Sequence, residues 1–323
     1  MLNARERFAA VLLHQEPDRV PYNLLLYPQL AKQLDAELGA GVDYRDFYGE
    51  DIRIVAVDYL EHSEIRLADN YFPLPSIAAL EKARRESEAV KERGLVTVNS
   101  YMPGIFEHAK AFTNDEFALT NMLLDPDDMR KIVGKIADWL CRLYELYAKV
   151  GFDICFNGDD IGTQQSTIMG IQSYREFYKE NHKRIIQTIK GVNPDAKVAF
   201  HCCGHVHTIL PEWIDIGLDI IQSLQPEAND LEYLKNAFGK DITFWGAIGL
   251  QSNLFYLSPE EIDDEMRRCI SIMAPGGGFV ASTANFATDE VSIEKIKQIY
   301  RSLAKYGKYD KTGDGKTGDG SLS

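Results

Sequence analysis

No stretch of this 323-residue chain is apolar for long enough to cross a membrane, which takes roughly 18 to 20 apolar residues in a row. The first residues contain no apolar core of the length that a signal peptide has. Basic residues are in deficit, since 35 lysines and arginines face 49 aspartates and glutamates, for a formal net charge of −14. Nucleic-acid binders and proteins held electrostatically to anionic membranes need a basic face, so the balance argues against both classes.

The chain contains only five cysteines, which is an odd number. Two of them, Cys202 and Cys203, are adjacent. This pattern does not fit a framework of disulfides, whereas reduced thiols are typical of the cytoplasm. We therefore expect a cytoplasmic protein.

Helical patterns alternate along the chain with short, continuously apolar runs, which is typical of parallel strands buried on both faces. The clearest helix begins at Pro126, where a proline costs no hydrogen bond, after Asp125 as its N-cap. The predicted helices are residues 3–15, 28–38, 76–93, 126–150, 174–189, 207–216, 231–238, 258–273 and 292–304. The predicted strands are residues 20–26, 52–57, 95–99, 153–156, 197–201, 219–222, 243–246 and 279–282.

Such alternation allows either a doubly wound sheet or a closed barrel. The glycine run at residues 276–278 precedes a predicted strand, whereas the dinucleotide-binding fingerprint follows one, so it does not support the doubly wound sheet. The sequence thus predicts an α/β fold, a (β/α)8 TIM barrel, as a single domain over residues 1–305. Residues 306–323 contain a five-residue direct repeat without an apolar residue, and we expect a disordered polar tail there.

In parallel barrels the active site lies at the carboxyl ends of the strands, and this rule selects the first candidates. His201 and Cys203 are alternate residues at the end of one predicted strand, so their side chains point the same way and that of Cys202 points oppositely. An imidazole and a thiolate are two of the ligands that zinc uses. A core cysteine beside a hydrogen-bonded histidine would give the same pattern, and both interpretations stay open.

Two adjacent carboxylates, Asp159 and Asp160, follow another predicted strand. One of them could be a general acid, since burial and a neighbouring like charge disfavour ionisation; a pair of capping or loop aspartates is the structural alternative. His201 is a further catalytic candidate. Other polar and aromatic residues near strand ends are candidates for binding a substrate, namely Tyr22, Tyr101, Phe156, Gln164, Gln222, Glu227 and Asn285.

The order of these motifs resembles the uroporphyrinogen decarboxylase superfamily over about residues 1 to 305. The resemblance rests on residues 5–21, 158–164, 174–178, 201–205 and 276–279. It implies the same barrel. The decarboxylase branch carries an arginine-containing segment after the first strand to bind the acidic side chains of a tetrapyrrole. Residues 22–29 contain no arginine, which disfavours a substrate with many carboxylates.

A second branch of the superfamily consists of methyltransferases that exchange methyl groups with a corrinoid protein. Resemblance to its thiol-methylating members implies zinc bound by a His-x-Cys pair, matched by His201 and Cys203, and by a distant cysteine near Asn285 or Phe286. This chain has no cysteine at that place, since Cys269 lies in a predicted helix before the last strand. The departure leaves the methyl-donor side of the chemistry open.

We therefore expect an O-demethylase methyltransferase that moves a methyl group from an aromatic methyl ether to the cob(I)alamin of a separate corrinoid protein. The leaving oxygen must be protonated or coordinated, by a carboxylic acid, by zinc or by both. The alternatives are a decarboxylase of the uroporphyrinogen type, a methylcorrinoid:thiol methyltransferase and a protein that only binds. The implied partners are a corrinoid-binding protein and a small methyl donor.

The domain assignment predicts that limited proteolysis will remove the polar tail and leave one resistant core, because only the residues before it can bury an apolar interior. Mass spectrometry of the resistant fragment gives its limits. Two stable fragments of comparable size would contradict a single domain.

Overall fold

The computed structural model describes residues 2–58 and 72–309, and the predicted (β/α)8 barrel is confirmed. The strands are β1 (Ile52–Val55), β2 (Val96–Asn99), β3 (Met102–Pro103), β4 (Ile154–Gly158), β5 (Lys197–Cys202), β6 (Ile220–Ser223), β7 (Thr243–Ile248) and β8 (Phe279–Thr283). The helices are α1 (Ala4–Leu12), α2 (Pro28–Leu38), α3 (Tyr44–Tyr48), α4 (Ile77–Glu92), α5 (Ile105–Phe112), α6 (Asp115–Leu124), α7 (Pro126–Val150), α8 (Ile171–Ser173), α9 (Glu180–Val192), α10 (Leu210–Asp215), α11 (Leu231–Phe238), α12 (Pro259–Met273) and α13 (Ile293–Tyr306). Within the described ranges, no helix combines the length and apolarity that crossing a bilayer demands.

All the strand pairs are parallel, in the order β1-β2-β4-β5-β6-β7-β8, and the short β3 pairs with β4. The barrel closes through residues 20–26, which lie between β8 and β1. Asn23 donates its amide to the Ala281 carbonyl at 3.2 Å, and Asp51 donates its amide to the Tyr22 carbonyl at 2.9 Å. The segment forms isolated bridges instead of the predicted strand, and Pro21 has no N–H to continue a ladder.

Helix α7 shows why the strongest helix prediction has the right bounds. Asp125 accepts a hydrogen bond from the Asp128 amide at 3.1 Å, and Gly151 ends the helix in the left-handed conformation at φ 87°. Its apolar face, which includes Met129 and Leu143, is fully buried.

Four helices were not predicted, α3, α5, α6 and the three-residue α8, and the predicted helix at 174–189 begins with a π-helical turn over Tyr174–Lys179. Helices α3 and α5 are too short to show a full amphipathic pattern. Helix α6 ends with Leu123 and Leu124, which are largely exposed, so its apolar residues do not mark a single buried face. A second π-helical turn, Leu250–Leu254, follows β7.

Apolar side chains form two layers because they alternate along each strand. Inward-facing residues, including Val98, Phe156 and Trp245, fill the barrel with Phe8 and Val11 of α1. Outward-facing residues pack against the helices in a second cluster. The alternation in β5 directs Ala199 and His201 inward and Cys202 outward.

A buried ionic network closes the amino-terminal end of the barrel. Asp51, which is 1% exposed, accepts hydrogen bonds from Arg7, from Arg19 at 2.7 Å and from the Tyr22 amide at 2.9 Å. Arg7 also binds Asp18 at 2.7 Å. Burial raises the pKa of Asp18, but the hydrogen bond and charge of Arg7 outweigh it and lower that pKa to about 2. The network joins α1, the closing segment and the residue that precedes β1.

The folded chain extends past residue 305, so the predicted boundary of the polar tail at residue 306 is too early. Lys308 forms a bridge with Arg19, and the Tyr309 hydroxyl donates to the Ala274 carbonyl at 2.9 Å. These contacts hold the residues after α13 against the amino-terminal end of the barrel. The rest of the predicted tail, residues 310–323, lies outside the described residues.

Replacing Asp51 with alanine should lower the free energy of unfolding by about 3 to 5 kcal/mol, because Arg7 and Arg19 would keep buried charges without their shared partner. Urea titration measures the change. Asp127, an exposed residue paired with Arg130 at 2.7 Å, provides the control, and its alanine variant should lose less than about 1 kcal/mol. Equal losses in the two variants would show that the buried network does not stabilise the barrel.

Candidate functional site

A cavity of about 440 Å³ opens at the carboxyl ends of the barrel strands. Its described lining residues include two carboxylates and no lysine or arginine. They are Leu25, Tyr27, Pro28, Tyr101, Pro103, Glu107, Phe156, Asp160, His201, Gln222, Asn285 and Phe286. A larger recess of about 740 Å³ lies by Lys235 and Gly276, before β8, and contains none of the predicted site residues.

Three donor side chains converge beside this cavity, those of Asp160, His201 and Cys203, and their ligand atoms all lie within 4.8 Å of one another. His201 Nε2 is 3.3 Å from Cys203 Sγ and 3.5 Å from Asp160 Oδ1. The pair predicted as metal ligands is therefore brought together, with Asp160 as a third donor that the sequence interpretation took for an acid. The sequence did not reveal the pairing register of β4 and β5. Gly158 of β4 pairs with His201 of β5, and this pairing brings the residues after both strands side by side.

Glycines allow the two strand ends to approach this closely. A Cβ atom at Gly158 would lie 2.0 Å from the His201 carbonyl oxygen. Gly204 adopts φ +80°, and a Cβ atom there would lie 2.5 Å from the Thr163 carbonyl oxygen. Larger residues at either position would push the loop that carries Asp160 away from the loop that carries Cys203.

Gln222 fixes the orientation of the His201 ring. Its Nε2 donates to the Ala284 carbonyl at 3.4 Å, so its Oε1 accepts a hydrogen bond from His201 Nδ1. The proton is thereby held on Nδ1, and the Nε2 lone pair faces Asp160 and Cys203. Hydrogen bonds of this kind orient histidines that bind metals.

The Cys203 thiol is in an environment that disfavours its charged form when no cation is present. Burial, with a contribution from the Asp160 charge, raises the pKa of Cys203 to about 12. Asn285 Nδ2 lies 3.4 Å from its sulfur and supplies a hydrogen bond. A cation would have to displace the thiol proton on binding. Cys202 faces the outer core and donates to the Cys203 carbonyl at 3.3 Å, so it is not a member of the donor group.

Asp159, predicted as a catalytic residue, is buried and is not among the residues that line the cavity. Its carboxylate accepts a hydrogen bond from the Glu107 amide at 2.9 Å and pairs with His182 Nε2 at 2.9 Å. Burial raises the pKa of Asp159, but the hydrogen bond and charge of His182 outweigh it and keep that pKa below its ordinary value. An ionised, fully engaged carboxylate does not suit a proton donor to a substrate.

Of the predicted substrate-binding residues, Tyr101, Phe156, Gln222 and Asn285 line the cavity, whereas Tyr22, Gln164 and Glu227 do not. The Tyr22 hydroxyl donates to the Tyr48 carbonyl at 2.5 Å, so this side chain belongs to the packing around β1. Gln164 is exposed and donates to Gln251 at 2.9 Å.

Glu107 lines the cavity and was missed because its helix, α5, was not predicted. Its carboxylate forms an ion pair with Lys110 at 2.6 Å, one turn further along the helix. Burial raises the pKa of Glu107, and the Lys110 charge opposes that rise in part. The spacing of Glu107 and Lys110 is visible in the sequence, but their position at the cavity depends on the turn through β3.

Comparisons with known proteins agree with this fold. A curated relative, uroporphyrinogen decarboxylase of Mannheimia succiniciproducens, is 22% identical over 203 residues, which are 62% of this chain and 53% of that protein. The match therefore spans about half the length of that relative.

Solved structures share the architecture at low identity. A methyltransferase from Methanosarcina mazei has a TM-score of 0.72 at 14% identity, covering 95% of this chain and 99% of its own. A B12-independent methionine synthase from Shewanella sp. W3-18-1 has a TM-score of 0.53 at 15% identity, and the match covers 90% of this chain and 93% of that one. Both likenesses show the fold alone. The family model for uroporphyrinogen decarboxylase (URO-D) matches residues 37–306, and with most of the chain matched, this protein belongs to that family.

Proposed function

We propose that this protein is a corrinoid-dependent methyltransferase that transfers a methyl group from an aromatic methyl ether to the reduced cobalt of a corrinoid carried by a separate protein. The observation that carries the proposal is the composition of the cavity. Two of the three converging metal donors, Asp160 and His201, line it, and Cys203 lies beside them. Its walls are aromatic, and its described lining contains no lysine or arginine.

The donor set suits zinc. Catalytic zinc sites commonly use three protein ligands, drawn from histidine nitrogen, cysteine sulfur and carboxylate oxygen, and leave a fourth position open. His201, Cys203 and Asp160 supply one of each within 4.8 Å. Asp160 thus takes the part of the distant cysteine that the family resemblance implies. Zinc bound there would polarise an ether oxygen and stabilise the negative charge that develops as its bond to carbon breaks.

Charge balance in the cavity favours a neutral donor. The Asp160 carboxylate and the Cys203 thiolate would together balance a divalent cation, and the other carboxyl group of the lining, that of Glu107, has Lys110 within 2.6 Å. A neutral ether meets no uncompensated charge in such a cavity. A tetrapyrrole with many carboxylates would find no guanidinium to pair with, and a quaternary ammonium would find no excess of negative charge.

The walls favour a flat, apolar ring. Tyr27 and Phe286 lie with ring centroids 5.5 Å apart, and Tyr101 and Phe156 lie 5.4 Å apart. All four line the cavity. Aromatic side chains bind aromatic groups through tilted and offset contacts at these distances, so a methoxylated ring fits better than methanol.

In the proposed reaction the bond between the methyl carbon and the ether oxygen breaks, and its electron pair stays on the oxygen. The electron pair for the new bond to carbon comes from the reduced corrinoid. This chain's own residues hold the ring between aromatic walls, and through His201, Cys203 and Asp160 they present the site where the leaving oxygen is stabilised. The cavity opens at the strand ends, where the partner's corrinoid can approach.

Replacing Cys203 with serine should lower the zinc content of the purified protein severalfold, because a neutral hydroxyl replaces a thiolate ligand. Replacing Cys202 with serine is the matched control and should leave the zinc content unchanged, since that thiol faces the outer core. Elemental analysis after dialysis measures both. Equal zinc content in the two variants would show that Cys203 is not a zinc ligand. Full activity in metal-free protein would exclude a catalytic metal.

Supplied with 2-methoxyphenol and a reduced corrinoid protein, the wild-type protein should release catechol and form methylcobalamin, because the cavity suits a neutral aromatic ether. The change in corrinoid absorbance follows the reaction, and chromatography identifies the phenol. Methyl transfer from a thioether or a methylamine, with none from any ether, would keep the reaction class and overturn the donor.

A decarboxylase is the second candidate, and the family match is the observation that favours it. Release of carbon dioxide from uroporphyrinogen, with no methyl transfer from any donor, would decide for it. Zinc-bound thiolate chemistry is the third candidate, favoured by the His201–Cys203 pair. A methylcorrinoid protein and a thiol acceptor test it in the same absorbance assay.

A further inference from the structure

Glu107 is the one carboxylate among the described lining residues that does not belong to the metal-donor group. The proposed reaction leaves a proton unassigned, since the product is a phenol and the bond cleavage delivers only an electron pair to the oxygen. Asp159 does not reach the cavity, and Asp160 is occupied as a metal donor. The proton must therefore come from another group, and the Glu107 carboxyl in the cavity lining is placed to donate it.

The loop after β4 sets the position of Glu107 relative to the donor group. Asp159 accepts the Glu107 amide at 2.9 Å, while Asp160, the next residue, accepts the Cys203 amide at 2.7 Å. Gly104 donates to the Gly158 carbonyl at 2.7 Å and holds the start of α5 against the same loop. Two adjacent aspartates thereby anchor the two sides of the cavity.

Lys110 lies next to the Glu107 side chain, and its positive charge favours the loss of the Glu107 proton. Its ammonium is 2.6 Å from the Glu107 carboxylate and 4.9 Å from the centre of the Phe106 ring, which fixes the lysine in place. A cation in that position stabilises the carboxylate that remains after proton transfer. The other ionisable groups that act on Glu107 are Asp159, Asp160 and the Tyr101 hydroxyl.

We infer, on the basis of the proposed function, that Glu107 is a catalytic residue that donates a proton to the ether oxygen as the methyl group departs. The oxygen keeps the electron pair of the broken bond and accepts the proton, so the product leaves as a neutral phenol. Glu107 becomes a carboxylate paired with Lys110 and regains its proton from water at the cavity mouth. Burial, which raises the pKa of Glu107, favours the protonated form that the step requires.

Proton donation matters most for oxygens that are poor leaving groups. Replacing Glu107 with glutamine should slow demethylation of 2-methoxyphenol by about 10²-fold or more, and should slow that of 4-nitroanisole, whose phenolate leaves readily, far less. Single-turnover absorbance measures both rates. Glu145, which forms a comparable ion pair with Lys149 at 2.5 Å on α7, is the control, and its glutamine variant should match the wild type.

The Lys110→Met variant separates a chemical from a structural role. Removing the cation raises the pKa of Glu107 further, so the pH at which activity declines on the alkaline side should move upward. A residue that only supports α5 would lower the rate at every pH without moving the profile. An equal loss for both ethers in Glu107→Gln, or an unmoved pH profile in Lys110→Met, would overturn the assignment.

Equilibrium binding without corrinoid distinguishes the failure of this role from that of the proposed function. Wild-type protein should bind 1,2-dimethoxybenzene more tightly than 1,2-diethylbenzene, because the protonated carboxyl of Glu107 can donate a hydrogen bond to an ether oxygen, and Glu107→Met should lose about tenfold of that preference. If no donor yields methylcobalamin, the methyltransferase proposal fails. If methylcobalamin forms but neither the rates nor the binding preference depend on Glu107, only the assignment of the acid fails.

Discussion

The pairing of β4 with β5 places Gly158 opposite His201, and every feature of the cavity depends on this register. It sets Asp160 beside Cys203, and it leaves Asp159 on the other side of the chain to hold the start of α5. A shift of one residue in either strand would exchange the faces, so that Cys202 would point inward and Cys203 into the helical layer. The close backbone contact at Gly158 and Gly204 stabilises this register, because a side chain at either glycine would separate the loops.

Sequence patterns were enough for the architecture. Apolar runs alternating with amphipathic helices define the barrel, and α7 has the bounds that its capping residues indicate. The closing segment at residues 20–26 was harder to predict, since its apolar composition matches a strand while Pro21 limits its pairing. Helix α6 could not be found from periodicity, because its last leucines face solvent.

The part of the site that depends on alternation within one strand could be predicted from the sequence. Alternation within β5 separates His201 and Cys203 from Cys202. Which of two adjacent aspartates faces the cavity depends on the pairing of β4 with β5, which no local pattern encodes. Glu107 reaches the cavity only through the turn at β3 and a helix of eight residues, so its place depends on tertiary contacts with Asp159.

The protonated state of Cys203 also bears on how the protein withstands oxidants. Alkylation and oxidation of cysteine proceed through the thiolate, and a pKa of about 12 leaves very little of that form at neutral pH. The neighbouring Cys202 faces the opposite side of the strand, so the two sulfurs are directed away from a mutual disulfide. The protein should therefore react slowly at Cys203 with alkylating and oxidising reagents at neutral pH.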